Sequence, residues 1–186
     1  QRDPKEIMFF IRMLYSCLTD ADFLDTAEFM DGRKTEPCAD SIETLAEKLD
    51  HFCESWFPPK TPLNQQRCAI LRKCQQQGDL LKPGLFSLTV PTGGGKTVSS
   101  MAFALHHAKA HGLKRIVYVV PYTSIIEQNA DVFRKILGDA NVLEHHSGVL
   151  YDVGEEATPE SFRMAKAAEN WDIPIVVTTA VQFFES

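Results

Sequence analysis

The chain has 186 residues, 44% hydrophobic and 24% charged, with a formal net charge of −6. This is enough for one complete domain or parts of two, and enough apolar side chain to bury a core. The negative balance excludes a global basic field that would gather nucleic acid, but leaves room for a local groove.

Asp3, Pro4 and Glu6 make a helix start: a capping side chain, a proline in the first turn and an acid that can reach back. Ile11, Leu14, Leu18 and Ala21 then keep helical spacing. The polar stretch "GRKTEPC", 32 to 38, breaks the pattern and reads as a linker. A second helix is expected from about Ser41, capped by Asp40, with Ile42, Leu45, Ala46, Leu49, Phe52, Cys53 and Trp56 as one stripe. Pro58 and Pro59 end it. The boundary between two structural units is expected within 32–62, as a linker and connecting helix between a helical segment, 1–31, and a second unit, 63–186.

From Pro62 the pattern changes. A helix over about 64–76 leads through "KPG" to a short strand, 85–90, then a Gly-rich turn and a helix to about His111, stopped by Gly112. "RIVYVV", 115 to 120, is a nearly unbroken apolar run of the kind buried on both faces. Ser124 and Glu127 form a capping box for a helix with the stripe Ile125, Ile126, Val132, Phe133, Ile136 and Leu137, stopped by Gly138. "IPIVVTT", 173 to 179, is a further strand. Buried strands alternating with helices predict an α/β fold: a parallel sheet with helices on both faces. Five cysteines without a CxxC pair, and no signal peptide, point to reduced thiols in a cytoplasmic protein. No apolar run approaches the ~20 residues of a membrane span. The chain opens at Gln1 rather than Met, and reads as an excerpt or a processed form.

"PTGGGKT", 91 to 97, carries the plainest chemistry. Gly93, Gly94 and Gly95 let the backbone turn tightly with its N–H groups inward. Lys96 can reach the β- and γ-phosphates, the Thr97 hydroxyl can hold Mg²⁺, and the helix that follows adds its positive end. Thr92, Gly93, Gly94, Gly95, Lys96, Thr97 and Val98 are therefore the candidate ATP contacts, with Lys96 and Thr97 the catalytic ones. The match to GxxxxGK[ST] is incomplete, because Val90 stands at the first Gly position. A turn that binds nothing is the alternative, but three consecutive glycines cost chain entropy unless the backbone needs them. The cradle signals a nucleoside triphosphate and not a reaction, since kinases, GTPases, transporters and helicases all use it.

Pro121, Tyr122, Thr123 and Ser124 fall at the carboxyl end of a parallel strand, the edge where open α/β sheets bind ligands. Thr178 and Thr179 repeat the arrangement one strand later. With Gln128, these residues form a candidate track for a single-stranded DNA backbone. Ordinary capping by Thr and Ser is the other reading. His145 and His146 are adjacent and so point to opposite faces of a strand, which argues against one shared metal; they read as loop or groove residues.

At these motifs the sequence resembles a superfamily 2 helicase. "PTGGGKT" is similar to its motif I, "VVPYTSIIEQ" to motif Ia, and "VTTAVQFFES" to the segment before motif II. "TVPTGGGKTVSSMAFALHHA", "YVVPYTSIIEQNADVF" and "VLEHHSGV" resemble more closely the CRISPR-associated helicase–nuclease of type I systems, in wording nearest to subtype I-C. The resemblance covers about 62–186. It implies a RecA-like lobe that is incomplete, Mg²⁺ and ATP as cofactors, and Gln65 or Gln66, supported by Arg67, as a reader of adenine. A polar helix start is the plainer reading of that glutamine pair.

"SCLTDADFLDTAEF", 16 to 29, resembles the last stretch of the HD-type nuclease domain, whose final Asp binds metal. Asp22 lies four residues after Leu18 and shares its stripe, so it is the candidate ligand, ahead of Asp20 and Asp25. The resemblance also implies a divalent transition metal at that site, an RNA-guided surveillance complex as partner, and cleavage of the single strand the motor pulls. No His-Asp or Asp-Glu dipeptide occurs in the chain. The Walker B acid is expected after Ser186, and the 186 residues alone are expected neither to hydrolyse ATP at a useful rate nor to cut DNA. Other superfamily 2 translocases, such as a restriction-type motor, and a P-loop kinase or GTPase are the remaining alternatives.

Overall fold

The structure, a computed structural model, describes residues 3–31, 39–149, 151 and 159–185. The chain divides into two units, 1–37 and 38–186. The linker reading at 32–38 lies outside the described residues.

Among the described residues the first unit is one helix, α1 (Pro4–Asp31). Asp3 caps it, its Oδ1 accepting from the Lys5 N–H at 3.0 Å. The expected stripe is not buried: Ile11, Leu14 and Leu18 are all at least half exposed. Helical spacing sets which residues share a face, but burial needs a second layer, and the described residues of this unit supply none.

The second unit begins with α2 (Ile42–Glu54) and α3 (Pro62–Leu80). The cap of α2 is Ser41, whose side chain accepts from the Thr44 N–H. Asp40, the expected cap, is used otherwise: its carboxylate takes the Lys48 ammonium at 2.6 Å and the Asn141 amide at 2.7 Å. Ile42, Leu45, Ala46, Leu49 and Cys53 form the buried stripe, while Phe52 turns outward onto Trp56. The stripe is part of the main core of this unit, so the helix read as a connector is packed into it.

Helix α3 runs beyond the expected residue 76. Its Cys68, Leu71, Cys74 and Gly78 are buried. A Cβ at Gly78 would stand 2.7 Å from the Phe103 carbonyl oxygen, so this glycine lets α3 approach α4 (Lys96–His111) closely.

Among the described residues the sheet has three strands, β1 (Ile116–Val120), β2 (Val142–His145) and β3 (Ile175–Thr179), parallel and in the order β1-β3-β2. Ile116 and Val142 both pair with Ile175. Between the strands run α5 (Thr123–Leu137), a 3-10 turn (Asp139–Asn141) and α6 (Pro159–Asn170), and α7 (Ala180–Glu185) follows β3. Alternation along the strands divides the core. Val142, Ile175 and Val177 meet α2, α4 and α5, whereas Leu143 and Val176 meet Met164 and Ala167 of α6. Helices therefore cover both faces, as alternating strands and helices predicted.

Two expectations change. His145, expected as a loop or groove residue, is the last residue of strand β2. Residues 85–90, expected as a strand, join no ladder. Phe86 rests edge-on against Phe103 and His107 of α4, and Leu85 and Leu88 are exposed. Among the described residues β1 and β2 each keep one unpaired edge, yet this run packs on α4 through Phe86 and pairs with neither.

Candidate functional site

The cradle is built by backbone conformation. Gly93 and Gly95 hold φ of 82° and 81°, the left-handed region that L side chains avoid. Gly94 serves differently: a Cβ there would run into Val90 Cγ1 and stand 3.0 Å from the Pro91 carbonyl oxygen. The Gly94 N–H closes the turn on that same carbonyl at 3.0 Å. Val90, where the motif has its first glycine, is thus the residue that fills the space beneath Gly94.

Gly95 is the N-cap of α4 and no side chain caps that end. The first N–H groups of a helix lack intrahelical acceptors, and together with the helix dipole they favour an anion. Lys96, exposed, opens the helix, and Thr97 and Val98 follow, half-buried. These residues fit a magnesium–triphosphate group: an uncapped helix start, a cation for the outer phosphates and a hydroxyl for the metal.

Two side chains hold the cradle from outside. Arg67 on α3 donates from Nε to the Gly93 carbonyl at 2.7 Å. Thr97 donates from Oγ1 to Oδ1 of Asn129 on α5 at 3.2 Å. Asn129 is buried and was not singled out from the sequence. A signal was present: it is a polar residue on the apolar face that carries Ile126, Ala130 and Phe133. Gln65 and Gln66 are exposed on the first turns of α3, and Thr92 is exposed before the glycines.

The carboxyl ends of β1 and β3 lie side by side, with Val120 paired to Thr179. Pro121 and Tyr122 follow β1 and are exposed, as is Gln128 on α5. The capping box read at Ser124 is replaced by an N-cap at Tyr122 with no side-chain cap bond, so Thr123 and Ser124 lie inside the first turn. Thr178 is fully buried and its hydroxyl donates to the His145 carbonyl at 2.7 Å. That bond ties β3 to β2 and directs the hydroxyl away from solvent. Thr179 is half-buried and its Oγ1 accepts from the Gln182 N–H at 3.0 Å.

Beyond β2 sits a buried polar group. His146 Nδ1 accepts from the Gly148 N–H at 3.1 Å, so Nε2 carries the proton and donates to Glu144 Oε1 at 3.0 Å. The other oxygen of Glu144 takes Arg134 at 2.9 Å. Glu127 brings a third metal-type ligand within reach. The arrangement is an ion-pair network, since a cation would have to displace both the guanidinium and the imidazole N–H. His145 points elsewhere: its Nδ1 accepts from Trp171 Nε1 at 3.1 Å, and burial together with the neighbouring His146 holds its pKa below the usual value.

Asp22, on α1, is exposed. No helix among the described residues is long and apolar enough to cross a membrane.

Comparison with known proteins gives two findings. Residues 59–186 match the family profile of the type III restriction enzyme, res subunit. The chain is also similar to the CRISPR-associated nuclease/helicase Cas3 of Haloferax volcanii, at 34% identity, the match covering 59% of this chain and 14% of that protein. The chain therefore spans a small part of that relative's length.

Proposed function

We propose that this chain, which belongs to the family of the type III restriction enzyme res subunit, is the nucleotide-binding lobe of an ATP-dependent helicase that translocates on single-stranded DNA. One observation carries the reading: Gly93 and Gly95 both hold left-handed conformations at the uncapped start of α4, directly before Lys96 and Thr97. Their amides and the Lys96 ammonium grip the triphosphate. Thr97 holds Mg²⁺, which when bound offsets phosphate charge. Gln65 or Gln66, with Arg67, reads the adenine, and Thr92 and Val98 flank the phosphates.

The strand contacts are Pro121, Tyr122, Thr123, Ser124, Gln128 and Thr179, with Thr178 holding the end of β3 in position. The parallel strand ends and the exposure of Pro121, Tyr122 and Gln128 support this path. Likeness to the Haloferax helicase–nuclease supports the wider role: CRISPR interference of type I, with subtype I-C the nearest form, and recruitment in the cytoplasm by an RNA-guided surveillance complex. Asp22 belongs to an HD-type nuclease site that takes a divalent transition metal and cleaves the translocated strand.

In the full-length protein, Lys96→Ala should abolish DNA-stimulated ATP hydrolysis and unwinding while leaving the fold intact. Undiminished unwinding would overturn the reading. The family match favours a second reading, a restriction-type translocase that needs no HD nuclease. Asp22→Ala separates the two: loss of metal-dependent DNA cleavage with unwinding retained supports the helicase–nuclease, and unchanged cleavage supports the restriction-type motor.

A further inference from the structure

Five side chains close a circuit around the cradle helix. Thr97 donates to Asn129 at 3.2 Å. Ser100, one turn further along α4, donates to the Thr97 carbonyl at 3.1 Å. Its single proton is thereby used, so at the 3.2 Å contact between the two hydroxyls Tyr118 of β1 donates to Ser100. The Tyr118 ring meets Phe133 edge to face, with centroids 5.0 Å apart. Phe133 lies four residues after Asn129, on the same face of α5. The circuit thus returns to its start. Asn129 and Phe133 are buried and Ser100, Tyr118 and Thr97 half-buried, so water does not compete freely for these contacts.

The circuit brackets the segment 121–128. Tyr118 precedes it on β1, and Asn129 follows it on α5. These contacts thus join Thr97 to residues on both flanks of that segment. The direction of the Thr97 bond matters. A hydroxyl that gives its proton to Asn129 keeps its lone pairs for the cradle side, and it becomes a stronger donor when its oxygen is ligated to a divalent cation.

We propose that the Thr97–Asn129 contact, closed by Ser100, Tyr118 and Phe133, couples magnesium–nucleotide binding at the cradle to single-strand binding at residues 121–128. Asn129 is a positioning residue: it touches neither ligand and acts through Thr97. The inference rests on the two sites proposed above and adds the link between them.

The test is a binding linkage, measured without turnover on the full-length protein. Affinity for a fluorescent oligodeoxythymidylate is measured with and without Mg²⁺ and a non-hydrolysable ATP analogue, and the affinity for the analogue with and without the oligonucleotide. Linkage requires the same factor both ways, in the range of about 5- to 150-fold for typical coupled sites. Asn129→Ala should bring that factor close to one, whatever it does to the affinity for either ligand alone, because linkage is the ratio of affinities with and without the other ligand. Tyr118→Phe, which keeps the ring and removes the hydroxyl, should reduce the factor in part. Full coupling in Asn129→Ala overturns the proposal. So does a wild type that binds both ligands without mutual effect, although the two proposed sites then stand. A wild type that fails to bind the analogue removes both the function and the link. If Asn129→Ala does not fold, Tyr118→Phe decides: a reduced factor supports the circuit and an unchanged one overturns it.

Discussion

The Nε of Arg67 on α3 donates to the Gly93 carbonyl across 26 residues of sequence, at 2.7 Å. The bond fixes a peptide whose left-handed conformation is intrinsically loose, and it places a guanidinium beside the proposed phosphate site. Arg67→Ala should weaken magnesium–nucleotide binding by about 1–2 kcal/mol, roughly five- to thirtyfold in Kd, the size of one partly exposed charge-assisted hydrogen bond. Arg67→Lys should restore little, because it lacks the Nε–H. Equilibrium titration with a fluorescent nucleotide checks this, and unchanged affinity in Arg67→Ala would remove the arginine from the site.

Gly94 is constrained by Val90 rather than by its own φ. Gly94→Ala should disrupt the cradle and destabilise the lobe by about 1–3 kcal/mol, as overpacking does. Val90→Ala in the same chain should recover part of both losses, because it removes the Cγ1 that the new methyl meets. Thermal unfolding and nucleotide titration of the single and double variants measure this. Purely additive losses would mean that the clash with Val90 is not the cause.

His145 gives the stability a defined pH dependence. Its pKa in the fold lies below the ordinary 6.5, chiefly through burial. The unfolded chain therefore binds the proton first, and the contribution of His145 is complete above pH 6.5 and declines as pH falls toward the folded value. Protonation would also forbid its Nδ1 from accepting the Trp171 N–H. Denaturant unfolding from pH 8 to 5 should show a loss in wild type that is smaller in His145→Gln. Parallel curves for the two proteins would contradict this.

The thiols divide by burial. Cys53 is 2% exposed and its pKa is pushed up to about 12, by burial first and then by Asp50. Cys74 is raised as well by burial. Cys17 on α1 is exposed. Iodoacetamide on the native protein should label Cys17 first and leave Cys53 and Cys74 until the chain unfolds, since the thiolate is the reactive form. Peptide mass spectrometry reads the order, and early labelling of Cys53 would show that α2 is not packed as described.

Much of this protein was legible locally. The cradle could be read from seven consecutive residues, because left-handed turns, a helix start and a phosphate cradle are all set within one short stretch of backbone. The stripes of α2 and α5 and the strand at β1 were equally plain, since helical and strand periods are properties of adjacent residues, but β1 lies at the sheet edge with Val119 exposed, not buried on both faces as its apolar run suggested. Hydrogen-bond partners far apart in sequence were not. Nothing near Thr97 names Asn129, nothing near residues 85–90 says that no strand edge receives them, and nothing in "VLEH" alone makes β2 pair with β3. Those outcomes depend on which surfaces meet when the layers close, and the same packing turned Thr178 inward to His145 and set Asn129 beside the cradle.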